Sequence, residues 1–168
     1  ISRVLATGTN WVTVPKSVRL TLKGRLAHGV YGRDVGLHIA RLLHEGALDF
    51  ELDYRVLEYA GDLDQFDLAT RTALCSSPTE MRAYGVFFPP SEQILAFARE
   101  RAQRAVTPAY PDADARYESE ATLDISALKP QITLPGGVHR AVDIGDTGFG
   151  HISEGGEIDR AQRRERRP

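Results

Sequence analysis

The sequence has almost no cysteine: Cys75 stands alone among 168 residues. No intrachain disulfide can form, and no cluster or zinc site can be assembled from thiolates of this chain alone. Long apolar runs are missing as well. Stretches such as Gly85 to Pro90 fall far short of the roughly 20 residues a membrane helix needs, and no signal-peptide pattern opens the chain. A soluble, cytoplasmic protein with no membrane partner is expected. Neither sign of charge dominates, since 21 basic and 23 acidic residues leave a formal net charge of -2. No broad field therefore favours nucleic acid or an anionic surface. There is no internal repeat. Gly24, Gly29 and Gly32 are not arranged as a phosphate loop between strand and helix, which leaves nucleotide binding without support.

A 42% hydrophobic content is enough to build one core, and the length suits one domain with a tail. Ile1 stands first, and Ile1 to Thr7 reads as the end of a helix whose beginning is absent, so residues 1–16 are expected to be the close of a preceding helix and a linker. Residues 17–144 carry the patterned part. Residues 145–168 hold few large apolar side chains and finish in Arg160, Arg163, Arg164, Arg166 and Arg167, a composition expected to stay disordered. Such a tail can bind RNA or acidic lipid; a solvated tail without a partner is the preferred reading.

Between these ends, the patterns alternate. Val18, Leu20 and Leu22 alternate with Arg19, Thr21 and Lys23 as a strand with one buried face, closed by Gly24. Asp34 precedes Val35, Leu37, Ile39, Ala40, Leu42 and Leu43, an amphipathic helix that Gly46 stops. Tyr54 to Tyr59 reads as a second strand. Asp67 caps a helix from Leu68 to about Leu74 or Cys75, and Pro78 suits the first turn of another, separated by the polar break Cys75-Ser76-Ser77. Val86, Phe87 and Phe88 form a short apolar run that predicts a buried strand. Ser91 caps a helix from Glu92 to about Val106 that should bury Ile94, Leu95, Phe97 and Ala98. Thr107 to Ala115 reads as a surface connection, Tyr117 to Ile125 as an edge strand, and Pro130 to Gly137 as a short extended piece with a Gly-Gly turn. This succession predicts a layered α/β/α domain with a mostly parallel sheet.

Chemistry is harder to find in these patterns. The five histidines, His28, His38, His44, His139 and His151, make no metal-ligand spacing and read as solvated or capping residues. Cys75 is a reactive thiol only if a following helix start lowers its pKa; a buried, inert cysteine is the commoner case. In Cys75-Ser76-Ser77-Pro78-Thr79-Glu80, two hydroxyls and a carboxylate stand at a helix start that could hold an anion or polar substrate through free amides. On physical grounds alone, an ordinary N-cap with an acidic first turn is the preferred reading.

Several segments, in order, resemble the aconitase and 3-isopropylmalate dehydratase large-subunit family. They are Val4 to Trp11, Val14 to Leu26, Gly29 to Ile39 with Gly32-Arg33-Asp34-Val35 at the place of a Lys-Asp-Val helix start, Val56-Leu57-Glu58-Tyr59-Ala60-Gly61, and Ile125 to Thr133. Together they cover roughly residues 1 to 144 and imply an aconitase-like middle domain. The resemblance implies a hydro-lyase acting on a small hydroxy di- or tricarboxylic acid, with a 4Fe-4S cluster whose ligands lie outside this chain, so that the chain alone would be inactive. Its partners would be the remaining aconitase-type domains or a small subunit.

The segment from Cys75 to Glu80 resembles the family's Cys-Asn-Met-x-x-Glu. That likeness makes Glu80 the catalytic candidate, with Ser76 and Ser77 next to substrate or cluster and no metal ligand. Ser76 stands where the family has Asn, with a shorter reach and no amide donor. Leu48 to Asp53 and Gln65 to Leu68 also depart from the family's Gly-rich turn and Ser-Met-Glu-Gly segment. A non-catalytic scaffold that retains the fold is the alternative reading.

Overall fold

The structure is a computed structural model and describes residues 2–147; the Arg-rich tail expected to be disordered lies almost wholly outside them. β1 (Lys16–Lys23) and β2 (Arg55–Gly61) pair in parallel, with Leu20 opposite Tyr59, and β3 (Gly85–Phe87) and β4 (Ser119–Asp124) join the two sides. The order is β3-β2-β1-β4 with every pair parallel. The expected parallel α/β sheet is therefore present. α1 (Ser2–Thr7) precedes it with no buried residue. α2 (Gly32–His44), α3 (Leu68–Ser76) and α4 (Glu92–Ala102) form the connections. The crossovers through α2 and α3 step in the same direction, whereas the one through α4 returns across the sheet; right-handed connections put α4 on the opposite face.

The faces of β1 explain what each helix buries. Val18, Leu20 and Leu22 are buried and form the core with Leu57, Tyr59, Val35, Ile39, Phe66 and Leu74. On the other face, Arg19 lies in register with Glu58 and Glu120, so the second face is polar. This corrects the expectation for α4. The helix ends at Ala102 instead of near Val106, with Gln103 left-handed at φ 48°. Leu95 is its one buried side chain, while Phe97 is exposed beneath the Arg101 guanidinium, 4.5 Å from the ring centre. A polar sheet face has too little apolar surface to cover the stripe that the sequence pattern offers.

Four further expectations shift. α2 starts at Gly32, two residues before Asp34, with Tyr31 in the cap position. Asp34 instead reaches back from the first turn, one carboxylate oxygen accepting from Tyr31 N–H at 2.7 Å and the other from Gln131 N–H at 2.8 Å. Tyr54 has φ 57° and stands outside β2. β3 is a half-buried edge strand, because nothing pairs with its outer side among the described residues. Beyond the extended piece β5 (Gln131–Thr133), the chain turns into β6 (Ala141–Asp143), an antiparallel partner that sequence periodicity did not show. This hairpin packs on α2 and explains why that helix is buried on more than its sheet face. Among the described residues, no helix is long and apolar enough to cross a membrane.

Candidate functional site

The segment Cys75 to Glu80 does not contain the break that its serines suggest. α3 runs through Ser76, and residues Ser77–Met81 continue it as a 3-10 turn. Ser77 N–H bonds Ala73 O, and the Ser76 and Ser77 hydroxyls both donate back to that same carbonyl, at 3.1 and 2.8 Å. Pro78 sits in the first turn of that 3-10 segment. Ser76 and Ser77 therefore end one helix and do not present the free amides of a new one. The two serines also part company: Ser76 is exposed, whereas Ser77 is only 2% exposed.

Ser77 is buried because α2 comes unusually close. A Cβ on Gly36 would stand 2.3 Å from Ser77 Oγ, and one on Gly32 2.7 Å from Thr70 O. Two glycines one turn apart thus let α2 lie directly on α3. Arg33, between them in sequence, reaches the 3-10 turn. Its Nη1 and Nη2 donate to the two carboxylate oxygens of Glu80 at 3.1 and 3.3 Å, and Nη1 also donates to Ser77 Oγ at 3.3 Å. The structure therefore joins Glu80 and Ser77 through Arg33 and leaves Ser76 apart, its hydroxyl proton already committed to the helix. Thr79 Oγ1 donates to Ser76 O at 2.6 Å, and Ala83 N–H to Pro78 O, so the turn carrying Glu80 is fixed at both ends. Both members of the Arg33–Glu80 pair remain near half exposed, at 47% and 43%, which leaves the carboxylate open to a ligand.

Sequence reasoning did not pick out Arg33. Its signal was the pair of glycines four residues apart around it, Gly32 and Gly36, which makes sense only once α2 and α3 are known to touch.

Cys75 is half-buried, and burial pushes its thiol up while the Arg71 guanidinium pulls the other way more weakly. It is not an activated nucleophile. His44 and His139, far apart in sequence, have ring centres 4.2 Å apart, a contact that spacing could not show. No group of three or more His, Cys, Asp or Glu is placed to hold a metal ion among the described residues. With a single thiol in the whole chain, this donor set does not fit a four-iron cluster.

A crevice of about 330 Å³ lies elsewhere, where β2 and β3 end, lined by Arg19, Glu58, Asp62, Asp64, Pro89 and Pro111 among others. Its central groups are already partnered. Arg19 pairs with Glu120 and lies 4.5 Å from the Tyr117 ring centre, and the Tyr117 hydroxyl donates to Glu58 at 2.5 Å. Glu80 is not part of it, and the chemistry of the Glu80 turn rests on hydrogen-bond geometry instead.

The fold and the turn together define a parallel α/β domain that carries an open carboxylate beside a guanidinium. The model of the Aconitase family (aconitate hydratase) matches residues 1–165, and the chain belongs to that family. It is 36% identical over 148 residues to the 3-isopropylmalate dehydratase large subunit 1 of Methanopyrus kandleri, covering 87% of this chain and 34% of that protein. Similarity to the homoaconitase large subunit of Thermus thermophilus is 35% over 136 residues, or 80% and 31% of the two chains. The probable methanogen homoaconitase large subunit of Methanosarcina mazei is 31% identical over 156 residues, 92% and 39%. The chain spans about a third of the length of these relatives.

Proposed function

We propose that residues 17–144 form the middle α/β domain of an aconitase-type hydro-lyase acting on a small hydroxy di- or tricarboxylic acid, and that Glu80 is its contribution to the reaction. What carries this reading is the Glu80 carboxylate, held in a fixed plane by Arg33 yet open on its outer side, in a chain whose relatives are named dehydratase and homoaconitase large subunits. Dehydration breaks a C–O and a neighbouring C–H bond and releases water. A carboxylate at this position accepts a hydrogen bond from the departing hydroxyl or water, and so orients it and holds its proton. The Lewis-acid chemistry of a cluster, the base that takes the carbon-bound proton and the groups that read the substrate carboxylates would come from the remaining domains or a small subunit.

The test is a Glu80→Gln substitution in the enzyme completed by those partners, with dehydration followed through the absorbance of the unsaturated acid. A fall in kcat of about 10²-fold or more is expected, and unchanged kcat would sink the assignment. A non-catalytic module is the second reading. It is favoured by Ser76, whose hydroxyl is turned back onto Ala73 O and offers no donor outward, and it predicts that Glu80→Gln leaves the activity of the assembled enzyme untouched.

A further inference from the structure

We propose that Arg33 is the positioning residue of this site, setting the plane and direction of the Glu80 carboxylate without itself touching substrate; this rests on the proposed role of Glu80. The geometry is bidentate, with Nη1 and Nη2 each on a different oxygen of Glu80. A planar guanidinium that donates to both oxygens fixes the rotation of the carboxylate about its terminal bond, which a single ammonium charge cannot do. Arg33 is itself steadied, because Nη1 also donates to Ser77 Oγ, and Ser77 is buried against Gly36 of the same helix. The chain of contacts therefore runs from the α2–α3 interface, through Ser77, to Arg33 and on to Glu80.

Stability does not explain this arrangement. An ion pair in which both side chains are near half exposed adds little to folding. Its effect is orientation. The inner sides of both carboxylate oxygens are taken up by Arg33, and the outer lone pairs are presented in one direction. An error of about 1 Å in such a group costs on the order of 10²-fold in rate.

The experiment compares Arg33→Gln, Arg33→Lys, Glu80→Gln and the double variant Arg33→Gln/Glu80→Gln in the completed enzyme, using a hydroxy-dicarboxylic acid as substrate. Arg33→Gln is expected to lower kcat about 10²-fold with KM little changed, since uniform substrate binding is not what it supplies. Arg33→Lys should recover only part of the loss, and in the Glu80→Gln background the Arg33 change should add nothing. Because Arg33 is exposed, its variants should melt at the parent temperature.

Parent kcat in Arg33→Gln, with activity lost in Glu80→Gln, would overturn the positioning role and leave the role of Glu80 standing. A further loss on adding Arg33→Gln to Glu80→Gln, or a rise in KM with kcat held, would show that Arg33 meets substrate directly and would equally overturn it. Full activity in Glu80→Gln would remove the proposed function, and this role with it.

Discussion

Arg71 shows how a charged residue becomes part of the core. It is 5% exposed and donates to three carbonyls, Phe66 O at 2.9 Å, Leu63 O at 2.7 Å and Pro89 O at 2.7 Å, while its guanidinium lies 4.6 Å from the Phe88 ring centre. It ties α3 to the loop before it and to the end of β3. Burial pulls its pKa down from the ordinary arginine value, but a guanidinium stays charged at any ordinary pH. Arg71→Ala would strand three carbonyls together, and urea unfolding should show a loss on the order of 3 kcal/mol. In the sequence, this arginine is one more polar residue in a helix. Glu80 could be singled out as a candidate because its neighbours form a motif, whereas Arg33 and Arg71 could not, because their partners lie in other elements.

At the scale of elements, the contact of α2 with α3 decides the geometry around Glu80. The amphipathic pattern of α2 and the Asp67 cap of α3, whose carboxylate accepts from Thr70 N–H at 2.8 Å, are local and were read correctly. The angle and closeness of the two helices are not local. Gly36→Ala gains helix propensity of about 1 kcal/mol but forces a methyl group to 2.3 Å from Ser77 Oγ and 2.6 Å from Ser77 Cβ. Overpacking should win, with a net loss of about 1–2 kcal/mol in denaturant unfolding. Adding Ser77→Gly removes both clashing atoms and should restore part of that loss, even though glycine is a poorer helix residue. The failure of the α4 prediction belongs to the same scale. Periodicity reports an apolar stripe but not the polarity of the face that the stripe must meet.

The sheet of the whole molecule is held at its amino edge by a charge network. Glu118 accepts from Arg55 Nε at 2.5 Å and from Lys16 Nζ at 2.6 Å, joining the starts of β1, β2 and β4. These hydrogen bonds, Arg55 first, pull its carboxyl from the ordinary value of 4.5 to about 2. Asp143 is lowered chiefly by the hydrogen bond from Gln131, and Asp124 by that from Ser126. Folded-state values below the unfolded ones mean that the unfolded chain takes up protons first. Their stabilisation is thus fully present above about pH 4.5 and is lost as pH falls toward 2. Unfolding midpoints measured across this window should decline with acid, and Glu118→Gln should flatten part of the decline while lowering the plateau above it.

The sequence by itself determined the four strands of the parallel sheet, the helices between them, their succession and the family, because periodicity, caps and motif order are properties of neighbouring residues. Only the tertiary structure decided that Gly32 and Gly36 bring α2 directly against α3, that Ser77 is buried between them, and that Arg33 grips Glu80. Those outcomes depend on how closely two separate helices can approach, and that distance is set by atoms far apart in the chain.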